Sequence, residues 1–208
     1  VPVASGTQTI GLALIGYNVH ATNISENAVA RAKRESRRLG ATLTLGAADM
    51  RHLDTQVVDE FDVVLSCDNA VPHLLTDDDL TQAFGAMRNR LSVGGTLLIG
   101  LSDYDRMQEE KPTVSSVRVL NRSEGQAYVF KGMKWRGDGR TYDFDHFIVH
   151  NTDDGWKTVH QEGTYRSLTR SEMTTLLNQT GFTNSVWHLP ADTGYFEPVV
   201  TATKASEL

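Results

Sequence analysis

Residues 1–16 read VPVASGTQTIGLALIG, in which a short apolar segment meets a small-residue turn that leads directly into a helical pattern. Backbone N–H groups at such a turn have no partners within the helix, and they point outward at the positive end of the helix dipole. A small anionic ligand group can approach them because Ser5 and Gly6 carry little side-chain bulk. The stretch lacks a complete G-x-G-x-x-G pattern, so it predicts a strand–turn–helix unit and, by itself, only a weak ligand signal. The buried side of the helix is expected to consist of Ile10, Ala13, Leu14 and Tyr17.

The alternation of strand and helix continues as far as residue 105. Further strands are predicted at residues 18–23, 41–47, 61–66 and 96–101. Residues 61–66, FDVVLS, form a nearly continuous apolar run that is typical of a strand buried in a parallel sheet. Ser25 and Thr76 are predicted N-caps of helices between these strands, and Gly40 is expected to end the first of them. This order predicts a parallel α/β sheet with right-handed crossovers.

The pattern changes after residue 105. Strand-like segments at residues 117–120, 127–131, 141–149 and 156–164 are separated by Gly- and Asp-containing turns, which predicts an antiparallel meander. A helix then begins near Thr169, and two last strands follow at residues 184–189 and 198–203. We therefore expect a single domain over residues 1–208, with a meander inserted at residues 112–168.

Composition limits the class of protein. With 208 residues, 39% of them hydrophobic, the chain is long enough to bury a sizeable core. Its formal net charge of −6 argues against broad binding to nucleic acid or to an anionic membrane surface. Cys67 is the single cysteine, which excludes an internal disulfide and is typical of a reducing, cytoplasmic compartment. The sequence has no bilayer-length apolar run and no signal-peptide pattern, and because it starts with Val1 inside a strand-like segment, we expect further sequence upstream.

The residues that follow the predicted strands are the first place to look for a site. In an open parallel sheet, ligands bind beyond the carboxyl ends of the strands, where the strand order reverses. Asn23 follows one strand and could bond a ribose hydroxyl. Asp49 follows the next strand and could accept a hydrogen bond from an exocyclic amine, beside the apolar Met50. These residue types in this order predict a nucleoside-like ligand.

Several short motifs together resemble a known family. The class I S-adenosylmethionine-dependent methyltransferases are similar at Ser5-Gly6-Thr7-Gln8, Gly16-Tyr17, Thr22-Asn23-Ile24-Ser25, Ala48-Asp49-Met50, Phe61-Asp62 and Gly94-Gly95. Residues 67–73, the meander and residues 165–170 resemble the small-molecule branch that includes glycine/sarcosine N-methyltransferases. The resemblance implies a Rossmann-like, seven-stranded, mostly parallel sheet with an antiparallel last hairpin. It also implies that the inserted meander covers an acceptor site.

The resemblance further implies an activity and a set of cofactor contacts. A methyl group would pass from S-adenosylmethionine to a small-molecule acceptor, with an amine nitrogen of the glycine or sarcosine kind expected and S-adenosylhomocysteine as product. No metal, nucleic acid or membrane partner is expected, and related enzymes often form homo-oligomers through such insertions. The implied cofactor-binding residues are Ser5, Gly6, Thr7, Gln8, Asn23, Ile24, Asp49, Met50, Cys67 and Asp68.

The remaining candidates concern the acceptor. Methyl transfer from a sulfonium is a direct displacement, so the protein mainly aligns the reactants in a dry pocket. A general base is needed chiefly for an alcohol or for an amine that arrives protonated. The candidate catalytic residues are Asn69 and His73, although a turn residue and a loop-capping residue are equally compatible readings. The candidate substrate-binding residues are Tyr142, His146, Tyr195 and Arg166, the last as a carboxylate clamp or as a salt-bridge partner within the sheet.

Two departures from the family keep alternatives open. Asn23 stands where an acid is usual, and a neutral hydrogen bond to ribose is about half as strong as a charged one. Gly6 stands where several glycines are usual, so either the loop is altered or about two residues are absent before Thr7. A non-catalytic methyltransferase-like binding domain is one alternative. A nicotinamide- or flavin-dependent oxidoreductase is the other, and the incomplete glycine pattern and Asp49-Met50 count against it.

Overall fold

The computed structural model describes residues 7–122 and 125–205, so the predicted first strand and the residues Ser5 and Gly6 lie outside the described part. Its α-helices are α1 (Thr7–Leu14), α2 (Glu26–Leu39), α3 (Leu53–Gln56), α4 (Asp77–Asn89), α5 (Tyr104–Glu110), α6 (Arg170–Gln179) and α7 (Pro190–Thr193). Its strands are β1 (His20–Asn23), β2 (Thr44–Ala47), β3 (Phe61–Ser66), β4 (Leu91–Gly100), β5 (Arg118–Arg122), β6 (Gly125–Trp135), β7 (Thr141–Thr152), β8 (Gly155–Arg166), β9 (Phe182–His188) and β10 (Val199–Lys204). Short 3₁₀ helices span Met50–His52 and Val71–His73.

The chain divides into two compact units. The first comprises the described residues of 1–71, 76–102 and 171–208, and the second comprises residues 72–75 and 103–170. The segment predicted as an inserted meander, residues 112–168, falls within the second unit. That it covers an acceptor site stays a prediction. None of the described helices is both long enough and apolar enough to cross a membrane.

The described strands of the first unit form two sheets of mixed direction. β1 and β2 pair in parallel, with Asn23 opposite Ala47. The second sheet has the order β3-β4-β10-β9, in which β3 and β4 are parallel and β10 is antiparallel to both β4 and β9. The predicted α/β fold with an antiparallel last hairpin is therefore confirmed at this level. The single seven-stranded sheet is not seen among the described strands, which do not include the predicted first one.

Local signals place α2 and α4 where the sequence predicts them. The Ser25 Oγ accepts a hydrogen bond from the backbone N–H of Ala28 at 3.3 Å, and Gly40 ends α2 in the left-handed conformation at φ 72°. The Thr76 Oγ1 accepts from the backbone N–H of Asp79 at 3.1 Å and caps α4. The buried side of α4 consists of Leu80, Ala83, Phe84, Ala86 and Met87.

Two local predictions are wrong. The side chains of Leu14 and Tyr17 are 53% and 63% exposed, because α1 ends at Leu14 and Tyr17 lies beyond it. The strand predicted from residue 96 instead begins at Leu91 and runs through Gly95. A Cβ at Gly95 would lie 2.8 Å from the Ser92 carbonyl oxygen, so this glycine permits a close backbone approach. The approach lies where the pairing with β3 is irregular, since Phe61 is opposite Leu91 but Val63 is opposite Thr96.

The second unit contains the predicted antiparallel meander, in the order β5-β6-β7-β8. Its strands are longer than predicted, and β7 and β8 have 12 residues each. The Phe144 ring stacks on Tyr165 with centroids 4.5 Å apart and lies over Gly163, where a Cβ would come within 2.7 Å of the ring. A glycine is therefore required under this aromatic pair. The buried hydrophobic residues of the sheet are Ala127, Val129, Tyr142, Phe144 and Tyr165.

Candidate functional site

Polar side chains from four separate segments of the first unit meet where β3 and β4 end. We call this set the strand-end cluster. The segments are the start of α1, the loop after β3, the residues after β4 and the loop before β10. The cluster consists of Gln8, Cys67, Asp68, Asn69, Ser102, Tyr195 and Glu197.

One side-chain amide connects three of these segments. The Gln8 Nε2 donates to the Tyr195 hydroxyl oxygen at 3.1 Å and to Asp68 Oδ1 at 3.3 Å. The sequence analysis assigned Gln8 and Asp68 to the cofactor and Tyr195 to the substrate. The structure brings the three side chains into contact at one place.

The loop after β3 has an unusual backbone. Asp68 and Asn69 are consecutive residues with φ of 57° and 58°, in the left-handed region. Non-glycine residues there cost about 1–3 kcal/mol each and concentrate at functional sites. Asn69 is buried, and its Oδ1 accepts from the backbone N–H of Ser102 at 3.1 Å, which joins the ends of β3 and β4. This contact gives Asn69 a structural role, and its catalytic role stays a prediction.

The strand-end cluster contains two carboxylates, those of Asp68 and Glu197. Burial, followed by the charges of Asp68 and Glu197, raises the pKa of Cys67 to about 11. Burial is also the main cause that raises the pKa of Tyr195 to about 12, with Cys67, Asp68 and Glu197 adding to it. Both groups are therefore neutral near pH 7, and Cys67 is not an activated nucleophile. A cationic ligand group is favoured here over an anionic one.

The ends of β1 and β2 present the candidates for a nucleoside. The Asn23 Oδ1 accepts from the backbone N–H of Ser25 at 2.8 Å. The Asp49 carboxylate accepts from the Arg51 guanidinium, with 2.7 Å between Nη2 and Oδ2, and from the Arg51 backbone N–H at 2.9 Å. The hydrogen bond from Arg51 is the main cause that lowers the pKa of Asp49. A ligand amine would therefore share this carboxylate with Arg51.

Two apolar side chains accompany these polar groups. Ile24 follows β1 with 70% of its surface exposed, and the half-buried Met50 follows β2 after Ala48 and Asp49. The Ala48 N–H donates to the Asn23 carbonyl at 3.1 Å, so the two strand ends remain paired up to this point. An exposed isoleucine and a half-buried methionine that follow two paired strand ends suit the face of a flat heterocycle.

The sequence placed Ser102 among the residues that follow the predicted strands, but it assigned neither Glu197 nor Arg51 to the site. Glu197 had a signal that could have found it. Because β10 is antiparallel to β4, with Val199 opposite Gly100, the residues that precede β10 lie at the edge where β4 ends. Tyr195 and Glu197 both lie in that segment.

His73 belongs to the second unit and has the properties of a base. Its ring centroid lies 4.4 Å from that of Tyr165 and 6.4 Å from that of Phe144. Part of the ring remains exposed, but the neighbouring side chains displace enough water to lower its pKa, and the positive charge of Lys131 lowers it further. The imidazole is neutral near pH 7 and can accept a proton.

The other substrate candidates of the second unit differ in accessibility. The Tyr142 hydroxyl is buried, with 3.4 Å between its oxygen and that of Tyr104. Arg166 is buried at the end of β8. His146 is half-buried, and its pKa is lowered first by burial and then by the charges of Lys131 and Arg118. Substrate contacts by these three residues stay predictions, and His146 is the most accessible of them.

Comparison of the sequence with known proteins gives two matches. A family model described as a methyltransferase domain matches residues 1–95. A curated relative, the glycine/sarcosine N-methyltransferase of Parasynechococcus marenigrum (strain WH8102), is 31% identical over 109 residues. The alignment covers 52% of this chain and 39% of the relative, so the chain spans about two fifths of the relative's length.

Comparison of the fold with solved structures also finds methyltransferases. An amino pentose methyltransferase from Micromonospora echinaspora, solved with S-adenosylmethionine bound, has a TM-score of 0.73 at 19% identity and aligns over 98% of this chain and 81% of its own. A sugar N-methyltransferase from Streptoalloteichus sp ATCC 53650 has a TM-score of 0.75 at 16% identity, over 98% and 77% of the two chains. At these identities the likeness establishes the fold alone.

Proposed function

We infer that this chain transfers a methyl group from S-adenosylmethionine to a small amine. Its resemblance to the class I S-adenosylmethionine-dependent methyltransferases is confirmed by the match to the family model and by the fold. The observation that carries this inference is the presence of two carboxylates, Asp68 and Glu197, in the strand-end cluster. The Asp68 and Glu197 carboxylates favour a donor with a positively charged sulfonium. They disfavour a dinucleotide, whose pyrophosphate is anionic.

We propose that the donor extends along the ends of the strands of the first unit. Ile24 and Met50 would contact the faces of the adenine, and Asp49 and Asn23 would bond its amine and its ribose. Gln8 would bond the methionine part. Thr7, Cys67 and Asp68 complete the described part of this set, whereas the proposed contacts of Ser5 and Gly6 lie outside the described residues.

Calorimetric titration of the purified chain tests the choice of cofactor. We expect S-adenosylmethionine and S-adenosylhomocysteine to bind at one site per chain and NAD to give no heat. At a ligand concentration 100 times Kd, the bound form gains about 2.7 kcal/mol. For a chain of this size, that gain raises Tm by roughly 5–10 °C. Heat with NAD and none with either S-adenosylmethionine or S-adenosylhomocysteine would support the oxidoreductase alternative instead.

We further propose that the acceptor is an amine of the glycine or sarcosine kind. The names of the curated relative and of the two similar structures all refer to N-methylation or to an amino sugar, which supports nitrogen as the nucleophile. An amine needs only to lose its extra proton, whereas an alcohol needs a strong base during attack. A neutral His73 could receive that proton.

Glycine and glycolate form a matched pair of acceptors, because they differ only in the amine or hydroxyl at the reacting position. With S-adenosylmethionine present, we expect methylated product from glycine or sarcosine and none from glycolate. The rate should rise with pH as the free amine becomes more abundant. Product is measured by mass spectrometry of the acceptor together with the S-adenosylhomocysteine formed. Faster transfer to glycolate would overturn N-methylation.

One set of contacts favours the non-catalytic alternative. The Asp49 carboxylate is occupied by Arg51, and the Asn23 oxygen is occupied by the Ser25 N–H. Both contacts compete with a nucleoside. Binding of the donor without turnover on any amine would support a domain that acts by binding alone.

The small-molecule acceptor remains the partner that we propose. A cytoplasmic location is also proposed, supported by the free Cys67 thiol.

A further inference from the structure

Three potential metal ligands meet on the outer surface of the meander sheet in the second unit. We call Asp145, His160 and Glu162 the β7–β8 triad. One ligand atom from each residue lies within 4.8 Å of the other two, and all three residues are exposed. We propose that the triad binds a divalent transition-metal ion of the Zn²⁺ type, independently of methyl transfer.

The strand register fixes this convergence. Asp145 on β7 lies directly opposite Glu162 on β8. His160 is two residues before Glu162 on the same strand, so both side chains lie on the same face of the sheet. The three side chains therefore project from two paired strands rather than from a loop.

The imidazole is already oriented for the site. Its ring stacks on Phe147, with centroids 5.0 Å apart and an angle of 22° between the planes. The His160 Nε2 lies 2.7 Å from Asp145 Oδ1. The nitrogen therefore faces the carboxylates, and stacking restricts the ring from turning away. A ligand held in place by its neighbours binds a metal more tightly than a mobile one.

The charges of the triad favour a cation. Carboxylates at directly opposed positions of two strands repel each other. The nearby Asp143 is paired with Arg136, but in the described part of the chain no ion pair is found for Glu162. The residue opposite Asp145 on β6 is Gly132, so no side chain directly opposite on that strand competes for the carboxylate. A divalent ion would neutralise both carboxylates at once.

The donor set indicates the class of metal. One imidazole nitrogen and two carboxylate oxygens suit Zn²⁺ and similar ions such as Co²⁺, whereas Mg²⁺ and Ca²⁺ prefer oxygen ligands alone. Three protein ligands leave at least one position for water, which the exposed surface can supply. Bound metal would cross-link β7 to β8.

Co²⁺ and Zn²⁺ are the probes that test this site. The full chain is first treated with a chelator, and Co²⁺ binding is then followed by its visible d–d absorption and Zn²⁺ binding by calorimetry. We expect one ion per chain. Loss of a partner that only supports a ligand costs 10–100-fold in affinity, so removing the ligand itself in His160→Ala should cost about 100-fold or more. Glu162→Gln should weaken binding by about 10-fold or more.

His150→Ala is the matched control, since His150 is on β7 but points to the opposite face from Asp145. It should leave metal binding unchanged. Circular dichroism checks that each variant is folded. The proposal is overturned if the parent chain gives neither Co²⁺ absorption nor Zn²⁺ heat. It is equally overturned if His160→Ala and Glu162→Gln bind as the parent does, because the metal would then lie elsewhere.

Discussion

Replacing Asp68 with asparagine is expected to weaken binding of S-adenosylmethionine by about 10-fold or more while leaving S-adenosylhomocysteine nearly unaffected. Only the methyl donor carries a sulfonium charge. At an effective dielectric constant of about 20, unit charges about 8 Å apart interact by about 2 kcal/mol, and each 1.4 kcal/mol is tenfold in affinity. Asparagine keeps an oxygen for the Gln8 amide and tolerates the left-handed backbone of this position, so the change removes mainly the charge.

Calorimetry with S-adenosylmethionine and with S-adenosylhomocysteine on the same preparation gives the ratio of their two Kd values. A general loss of active protein affects both values equally and therefore does not change the ratio. Asp62→Asn is the control, because Asp62 is an exposed carboxylate within β3 and its replacement changes the net charge equally. The control should leave both affinities unchanged. Equal weakening of the two ligands by the Asp68 variant would mean that its carboxylate does not act on the sulfonium.

Replacing Phe84 with alanine is expected to lower the free energy of unfolding by about 3–5 kcal/mol. The Phe84 side chain is 0% exposed on the buried side of α4, where it recurs at helical spacing with Leu80 and Met87. Truncation leaves a cavity and loses the contacts of the ring. Because a domain is stable by only about 5–15 kcal/mol, this one change removes a large part of the total.

Urea unfolding followed by circular dichroism measures the change. Thr81→Ala serves as the control, since Thr81 is exposed on the same helix and its replacement should change stability by no more than about 0.5 kcal/mol. Phe84→Leu keeps most of the volume and should cost less than the alanine variant. If Phe84→Ala were as stable as the parent chain, the assignment of this face of α4 to the core would be wrong.

Local interactions explain which parts of the fold could be predicted. The strand Phe61–Ser66 has the predicted bounds, because a continuous apolar run between polar residues specifies a strand by itself. Its predicted burial is not seen among the described residues: β3 is the edge strand of its described sheet, and Val63 is 49% exposed. Ser25 and Thr76 cap their helices as predicted, since a cap depends on residues within one turn. The start of β4 was missed because Leu91 joins the strand through its pairing with Phe61, which lies on β3, much earlier in the chain.

The candidate site could be predicted only in part. Residues after β1, β2, β3 and β4 were identified because parallel strands place their carboxyl ends at one edge. The contribution of Glu197 depends on the antiparallel direction of β10, and the pairing of Arg51 with Asp79 depends on where α4 packs. The pairing of Asp49 with Arg51 is local, but a spacing of two residues does not by itself specify it. Sequence spacing contains none of these three facts.

The sequence by itself therefore determined the alternation of strands and helices, the antiparallel meander, the helix caps and the resemblance to methyltransferases, because each of these depends on short-range patterns. Only the tertiary structure decided that Gln8 bonds both Asp68 and Tyr195, that Asn69 joins β3 to β4, and that Asp145 and Glu162 face each other. These contacts join residues far apart along the chain. Strand direction sets which loops meet, and strand register sets which side chains face each other; a one-residue change of register would turn Glu162 away from Asp145 to the opposite face of the sheet.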